Sequence, residues 1–220
     1  MSDDKTFVPW DSGCCWYLAR HGETDWNRER RIQGQSDTSL NQRGRSQASL
    51  LGTRLAETSF SAIYASDLSR TMETARLVAA QGSPAIIPVR ELREIDYGQW
   101  EGLTFAEVEA RDPEGFADRM MRQSVDFAPP GGEDPRQCTA RVRPFHDRVR
   151  AHHASGENVL VIGHGGSLLA LLTCLLGMPV EYLLRFRLNQ TGLSIVRTFS
   201  EAGVLELWND TSHLPPEGKG

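Results

Sequence analysis

Lysine is almost missing from this chain: of 24 basic residues, 22 are arginine and only Lys5 and Lys219 are lysine. Arginine grips phosphate and carboxylate through paired hydrogen bonds. One phosphate site uses only a few guanidiniums, so most of the bias reads as background composition. A basic excess is missing too. The net charge is −5 and the pI near 5.7, which argues against a nucleic-acid binder and its basic face. No apolar run approaches the roughly 20 residues that span a bilayer; the longest, residues 168–176, has the length of a core helix and contains Thr173. The opening Met1-Ser2-Asp3-Asp4-Lys5 lacks an apolar signal region, so no export signal and a cytoplasmic location are expected. The cysteines Cys14, Cys15, Cys138 and Cys174 form no C-x-x-C pattern. Buried free thiols in a reducing compartment are therefore expected, not a disulfide framework or a zinc site. No D-x-D, H-E-x-x-H or Walker-like segment supplies a metal site, and none is expected.

What is present is an ordinary globular mix, 39% hydrophobic and 24% charged over 220 residues. That excludes collagen, coiled coil and wholesale disorder. Residues 14–19, 62–65, 85–89, 159–162, 192–199 and 203–208 have strand character, with Pro88 marking an edge strand. Helical spacing follows Asn41 through Ala48, Leu51 and Leu55, and follows Ser66-Asp67 through Met72, Ala75 and Val78, those two serving as caps. Thr104 with Glu107, Asp112-Pro113, and Asp134-Pro135 with Gln137 are further helix starts. The last of these is expected to run to about residue 153. Strands alternating with helices imply a three-layer α/β/α sandwich around a mostly parallel sheet. The expectation is one domain over residues 1–220, with a loose arm at 1–13, a small helical cover at 103–134 and a flexible tail at 215–220.

Ligands of open α/β sheets bind beyond the carboxyl ends of strands. His21 follows one such strand and His164 another, each with glycine beside it, which permits sharp turns and close ligand approach. Arg20 precedes His21, and Arg70 follows the second strand. Two histidines and two arginines converging at strand ends would make a site for a dianion. A lone strand-end histidine is more often a structural group; the shared context of the two raises the odds of function. Spacing alone leaves the choice of an acid/base carboxylate open among Glu91, Glu94, Asp96 and Glu101.

The stretch Leu18-Ala19-Arg20-His21-Gly22-Glu23-Thr24, continuing to Asn27, resembles the Arg-His-Gly motif of the histidine phosphatase superfamily, in its phosphoglycerate mutase-like branch. Further stretches match in order: Arg31-Ile32-Gln33-Gly34-Gln35 with Asp37; Tyr64-Ala65-Ser66-Asp67-Leu68-Ser69-Arg70-Thr71; Leu92-Arg93-Glu94 through Gly98-Gln99-Trp100-Glu101-Gly102; Pro130-Gly131-Gly132-Glu133; Val161-Ile162-Gly163-His164-Gly165-Gly166; and Trp208-Asn209-Asp210 through His213-Leu214. The resemblance covers about residues 16–214. It implies a cofactor-free, metal-independent phosphomonoesterase acting on a small phosphorylated metabolite, and a homodimer is compatible with it. His21 would be the nucleophile, Arg20, Arg70 and His164 the grip on the phosphoryl group, and Glu94 the proton donor and then base. Asn27, Thr24, Gln33, Gly34, Tyr97 and Gly165 would contact the substrate.

Two positions depart from the family pattern. Gly163 stands where many relatives carry serine, which removes a hydroxyl and loosens the turn. Asp134 stands where serine is frequent and can still cap its helix. A cofactor-dependent phosphoglycerate mutase is the nearest alternative. Mutases typically carry a Phe-Thr-Gly-Trp-like segment where this chain has Ile32-Gln33-Gly34-Gln35, and adjacent arginines where it offers only Arg119 and Arg122. A non-catalytic phosphate-ester binding module would require a lost catalytic group, and none is lost. A nucleotide fold through Gly163-x-Gly165 lacks its third glycine, since residue 168 is leucine. The aromatic and methionine residues of the cover, Trp100, Phe105, Phe116, Met120, Met121 and Phe127, could line a pocket or simply fill core.

Overall fold

The computed structural model describes residues 13–153, 155–199 and 203–216. The expected arm lies outside them except for Gly13, and the expected tail except for Pro215 and Pro216. Six strands form one sheet: β1 (Cys14–Arg20), β2 (Ala62–Ser66), β3 (Ile86–Val89), β4 (Asn158–Gly163), β5 (Leu193–Thr198) and β6 (Gly203–Asp210), in the order β3-β2-β4-β1-β5-β6. The first four strands pair in parallel, and β5 and β6 add an antiparallel edge. β3 lies at the other edge, where Pro88 costs no ladder bond.

The side-chain period of two assigns the layers. On β1 and β4, Trp16, Leu18, Val159 and Val161 face α6 (Pro135–His152) and α7 (Gly165–Leu176). Ala19, Leu160 and Ile162 face α2 (Gln42–Leu55) and α3 (Ser69–Val78). A parallel strand covered on both faces needs apolar residues at every position, which is why residues 159–162 read as one continuous run; all four are fully buried. The chain is thus a three-layer α/β/α sandwich. α7 is buried along nearly its whole length, and no helix among the described residues is long and apolar enough to cross a membrane.

Short helices follow the motif loops. Thr24 caps α1 (Asp25–Arg28), Thr104 caps α4 (Phe105–Arg111) and Asp112 caps α5 (Pro113–Phe116), with a π-helical turn at Ala117–Met121. The start of α3 differs from expectation. The helix begins at Ser69, and neither Ser66 nor Asp67 caps it. Its first amide and hydroxyl are held by Asp37, at 2.8 and 2.7 Å, while Asp67 makes two bonds to Arg93. Ser66 is thereby free for the site.

Candidate active site

The register of the two central strands assembles the site. Arg20 on β1 pairs with Gly163 on β4, so His21 and His164 leave the sheet side by side, with ring centroids 5.2 Å apart. β2 pairs Ala65 with Ile162, which brings Ser66 Oγ to 2.9 Å from His164 Nε2. His21 Nδ1 lies 2.7 Å from the Gly22 carbonyl. A carbonyl only accepts, so Nδ1 carries the proton and the Nε2 lone pair is free. Burial, reinforced by the Arg70 and Arg20 guanidiniums, holds the His21 pKa well below the usual imidazole range. His164 is lowered likewise by burial, then by Arg70. Both rings are neutral at physiological pH.

Three buried nitrogens surround the imidazoles without a hydrogen-bond partner in the protein: Arg20 Nε, Arg70 Nε and His164 Nδ1. Each side chain is fixed by its other nitrogens. Arg20 Nη1 donates to the Leu188 carbonyl at 2.8 Å, and Arg70 donates to the carbonyls of Ser36 and Gly34 at 2.8 and 2.7 Å. Burial pushes the Arg70 pKa down to about 10 and lowers that of Arg20; at neutral pH both stay cationic. Unpaired buried cations are expensive, and a phosphate dianion is the ligand that would compensate them.

Of the four candidate carboxylates, only Glu94 reaches this cavity of about 430 Å³. It accepts from the Gly166 N–H at 2.8 Å and the Ser167 N–H at 3.2 Å in the first turn of α7. Glu91 pairs with Arg148, Asp96 accepts from the Gly98 amide, and Glu101 receives the amides of Gln35 and Ser36. A Cβ on Gly166 would lie 2.6 Å from Glu94 Oε1, so glycine is required there. Asn27, Gln33, Gly34, Tyr97 and Gly165 also line the cavity. Asn27 Oδ1 accepts from the Thr24 N–H, and Gln33 Oε1 from the Thr24 and Thr38 hydroxyls. Both side chains are thus oriented with their NH₂ groups turned away from those bonds. The Gly165 N–H opens α7 and has no intrahelical acceptor.

Thr24 does not do what the resemblance implies. It is fully buried behind Asn27 and Gln33 and does not line the cavity. Gly163 does not loosen its turn either: a Cβ there would stand 2.9 Å from Leu168, whose side chain takes the space. Arg119 and Arg122 part company. Arg119 lies against Tyr97, donating to its hydroxyl at 3.3 Å, and Arg122 pairs with Asp118. Phe105 and Met120 line the cavity. Trp100, Phe116 and Phe127 form a small apolar cluster, and Met121 is exposed.

Sequence reasoning missed two supporting residues. Ser66 looked like a helix cap. Arg141 of α6, one arginine among 22, donates to the carbonyls of Glu91, Arg93 and Glu94 at 2.6, 3.0 and 3.2 Å and pairs with Glu133. It clamps the Glu94 loop to the Pro130–Glu133 turn. No local signal marks either residue, since both act across the fold. The C-terminal signature works at a similar remove. Asn209 accepts from the Asn189 amide at 2.8 Å, His213 meets Thr191, and the Thr191 N–H donates to the Arg20 carbonyl at 3.0 Å. Among the described residues, no group of three or more His, Cys, Asp or Glu side chains is placed to hold a metal. All four cysteines are buried and free.

Two outcomes follow from this geometry. A Cβ on Gly44 would meet the Glu23 carbonyl at 2.1 Å, and one on Gly22 the Gly44 carbonyl at 2.4 Å. Neither backbone can yield without moving the other. Gly44→Ala, outside the cavity, is expected to cost roughly 1–3 kcal/mol as overpacking, read as a lower melting temperature. It should also lower activity by displacing the Gly22 carbonyl from His21. Second, because the His21 pKa lies well below 6.5, acidification through pH 6.5 leaves its nucleophilic nitrogen unprotonated. Phosphoenzyme formation from an aryl phosphate, corrected for the substrate dianion, should stay within about threefold between about pH 7.5 and 5.5 in single-turnover assays, whereas an imidazole titrating at its ordinary value would lose about tenfold. The sign for stability is opposite: the unfolded chain binds these protons and the folded chain does not, so acidification below about pH 6.5 weakens the fold.

The model of the histidine phosphatase superfamily (branch 1) matches residues 16–211. Phosphoglycerate mutase-like protein 4 of Arabidopsis thaliana is 36% identical over 91% of this chain and 87% of its own length. Among solved structures, the alpha-ribazole phosphatase from Shigella flexneri is 30% identical with a TM-score of 0.82, covering 90% of this chain and 96% of that one. A mycobacterial glucosyl-3-phosphoglycerate phosphatase, solved with VO3, is 31% identical with a TM-score of 0.82, covering 89% and 98%.

Proposed function

This chain belongs to the histidine phosphatase superfamily (branch 1), and from that premise we propose that it is a phosphomonoester hydrolase that works without a metal, through a phosphohistidine, on a small phosphorylated metabolite. The carrying observation is the trio of buried, unpartnered nitrogens, Arg20 Nε, Arg70 Nε and His164 Nδ1, beside an imidazole whose other nitrogen is free. His21 Nε2 attacks phosphorus in line with the departing alkoxide. Charge in this transition state spreads over the equatorial oxygens, and the trio meets it with donors already in place. A Ser66 hydroxyl donating to His164 Nε2 leaves the proton on Nδ1, the form that donates to a phosphoryl oxygen. Glu94 gives a proton to the leaving oxygen and then takes one from the water that cleaves the phosphohistidine. Asn27, Gln33 and the Gly165 N–H supply further donors, and Tyr97 walls the leaving-group side.

The mutase reading gains nothing from Arg119 and Arg122, whose guanidiniums are turned to Tyr97 and Asp118. Buried thiols, with the Cys14 pKa raised to about 12 by desolvation, suit a reducing cytoplasm. Hydrolysis of phosphate monoesters should survive dialysis against EDTA, because the two arginines supply the charge a metal otherwise would. Activity lost to EDTA and restored by Mg²⁺ would overturn the metal-free mechanism. Incubating 3-phosphoglycerate with its 2,3-bisphosphate tests the mutase: release of inorganic phosphate supports the hydrolase, and isomerisation without release refutes it.

A further inference from the structure

The cavity holds more positive charge than one phosphate ester uses. Five arginines line it (Arg20, Arg30, Arg31, Arg70 and Arg187), against the single carboxylate of Glu94. Arg20 and Arg70 lie deepest, beside His21. Arg31 is neutralised, pairing with Glu29 at 2.8 Å and Glu107 at 3.5 Å. Arg30 and Arg187 are exposed at the rim, and among the described residues neither side chain has a hydrogen bond or an ion pair. Arg30 also has a left-handed backbone, φ 57°, a conformation that glycine adopts without steric strain. A guanidinium lining a cavity without a carboxylate partner is a receptor for an anion of the ligand.

Resting on the hydrolase reading, we propose that the substrate carries a second anionic group on its leaving-group side, a carboxylate or a further phosphate, bound by Arg30 and Arg187. The phosphoryl group reaches Arg20 and Arg70, and the second anion stays at the rim. The rim pair makes the site select among phosphate esters by the charge of the alcohol they release. A neutral sugar or polyol phosphate leaves the two guanidiniums unmatched.

The test compares esters that differ only in that charge. For the carboxylate, 3-phosphoglycerate is paired with glycerol 3-phosphate; for a second phosphate, fructose 1,6-bisphosphate is paired with fructose 1-phosphate. The readout is the ratio of kcat/KM within each pair, so a general loss of activity cancels. The wild-type ratio in at least one pair should favour the charged ester by roughly tenfold or more. In Arg30→Gln/Arg187→Gln it should fall toward one, mainly through KM, and in Arg30→Lys/Arg187→Lys it should largely return. The favoured pair identifies the anion. A wild-type ratio near or below one in both pairs overturns the proposal, as does a preference that survives the glutamine variants. If wild type hydrolyses none of these esters and not 4-nitrophenyl phosphate either, the hydrolase reading fails, and this proposal with it.

Discussion

His21→Ala abolishes phosphate release and acid-labile labelling from ³²P substrate together. The expectation rests on the bond-forming atom. His21 lines the cavity and His164 is buried beside it; of the two imidazoles, only His21 has one nitrogen locked as a donor by a carbonyl, Gly22 at 2.7 Å, and the other free with its lone pair. His164 is bound at Nε2 by Ser66, and its Nδ1 is buried as a donor in the proposed mechanism. Removing His21 thus leaves no nucleophile of comparable strength among the cavity's described residues, and covalent catalysis is lost outright rather than weakened. His164→Ala makes the contrast. It removes one transition-state donor, with an expected loss of about 10²–10³-fold in rate, while His21 is still labelled. Both are read by single-turnover quench and acid-lability of the labelled protein. Turnover by His21→Ala within about tenfold of wild type would defeat the nucleophile assignment.

Which parts of this arrangement could be read from the chain follows from how far each interaction reaches. Residues 159–162 read as a strand from their β-branched run, and the glycines around His164 as a sharp turn after it; that this strand is parallel and covered on both faces comes from the fold. Thr104 with Glu107 and Asp134 with Gln137 announced helix starts because a capping box closes within four residues. The convergence of His21 and His164 was legible as two strand ends, but their pairing depends on β1 and β4 lying adjacent, which no local pattern encodes. Ser66 was misread for the same reason: serine near a helix start is a cap by local rules, and here a distant histidine takes its hydroxyl. Thr24 matched a motif yet acts one layer back, through Asn27 and Gln33. By spacing alone Glu94 is one of four equivalent carboxylates; the family resemblance singles it out, and the fold sends Glu91, Asp96 and Glu101 to other partners. Arg141 was invisible among so many arginines because its acceptors are backbone carbonyls nearly fifty residues away in the chain.

Glu94→Gln is expected to damage the two half-reactions unequally, according to the leaving group. The substitution keeps the shape, and the amide oxygen can still accept from Gly166 and Ser167, so the site should stay assembled. What it removes is the proton that moves. An alkoxide such as that of glycerol or glycerate is strongly basic and leaves only with a proton, whereas 4-nitrophenolate leaves with little help. General acid catalysis is commonly worth about 10²–10⁴-fold, so phosphorylation of His21 by an alkyl ester should fall by that order and phosphorylation by an aryl ester much less. Dephosphorylation, which needs water activated, should slow for both, so phosphoenzyme should accumulate with the aryl ester. Glu91→Gln and Asp96→Asn are the controls. Glu91 is tied to surface Arg148 and Asp96 to a backbone amide, and neither change should alter the alkyl-to-aryl ratio. Rapid-quench measurement of phosphoenzyme with both esters decides the matter. An equal loss for alkyl and aryl esters in the phosphorylation step would make Glu94 a support for the first turn of α7, with the proton coming from another group.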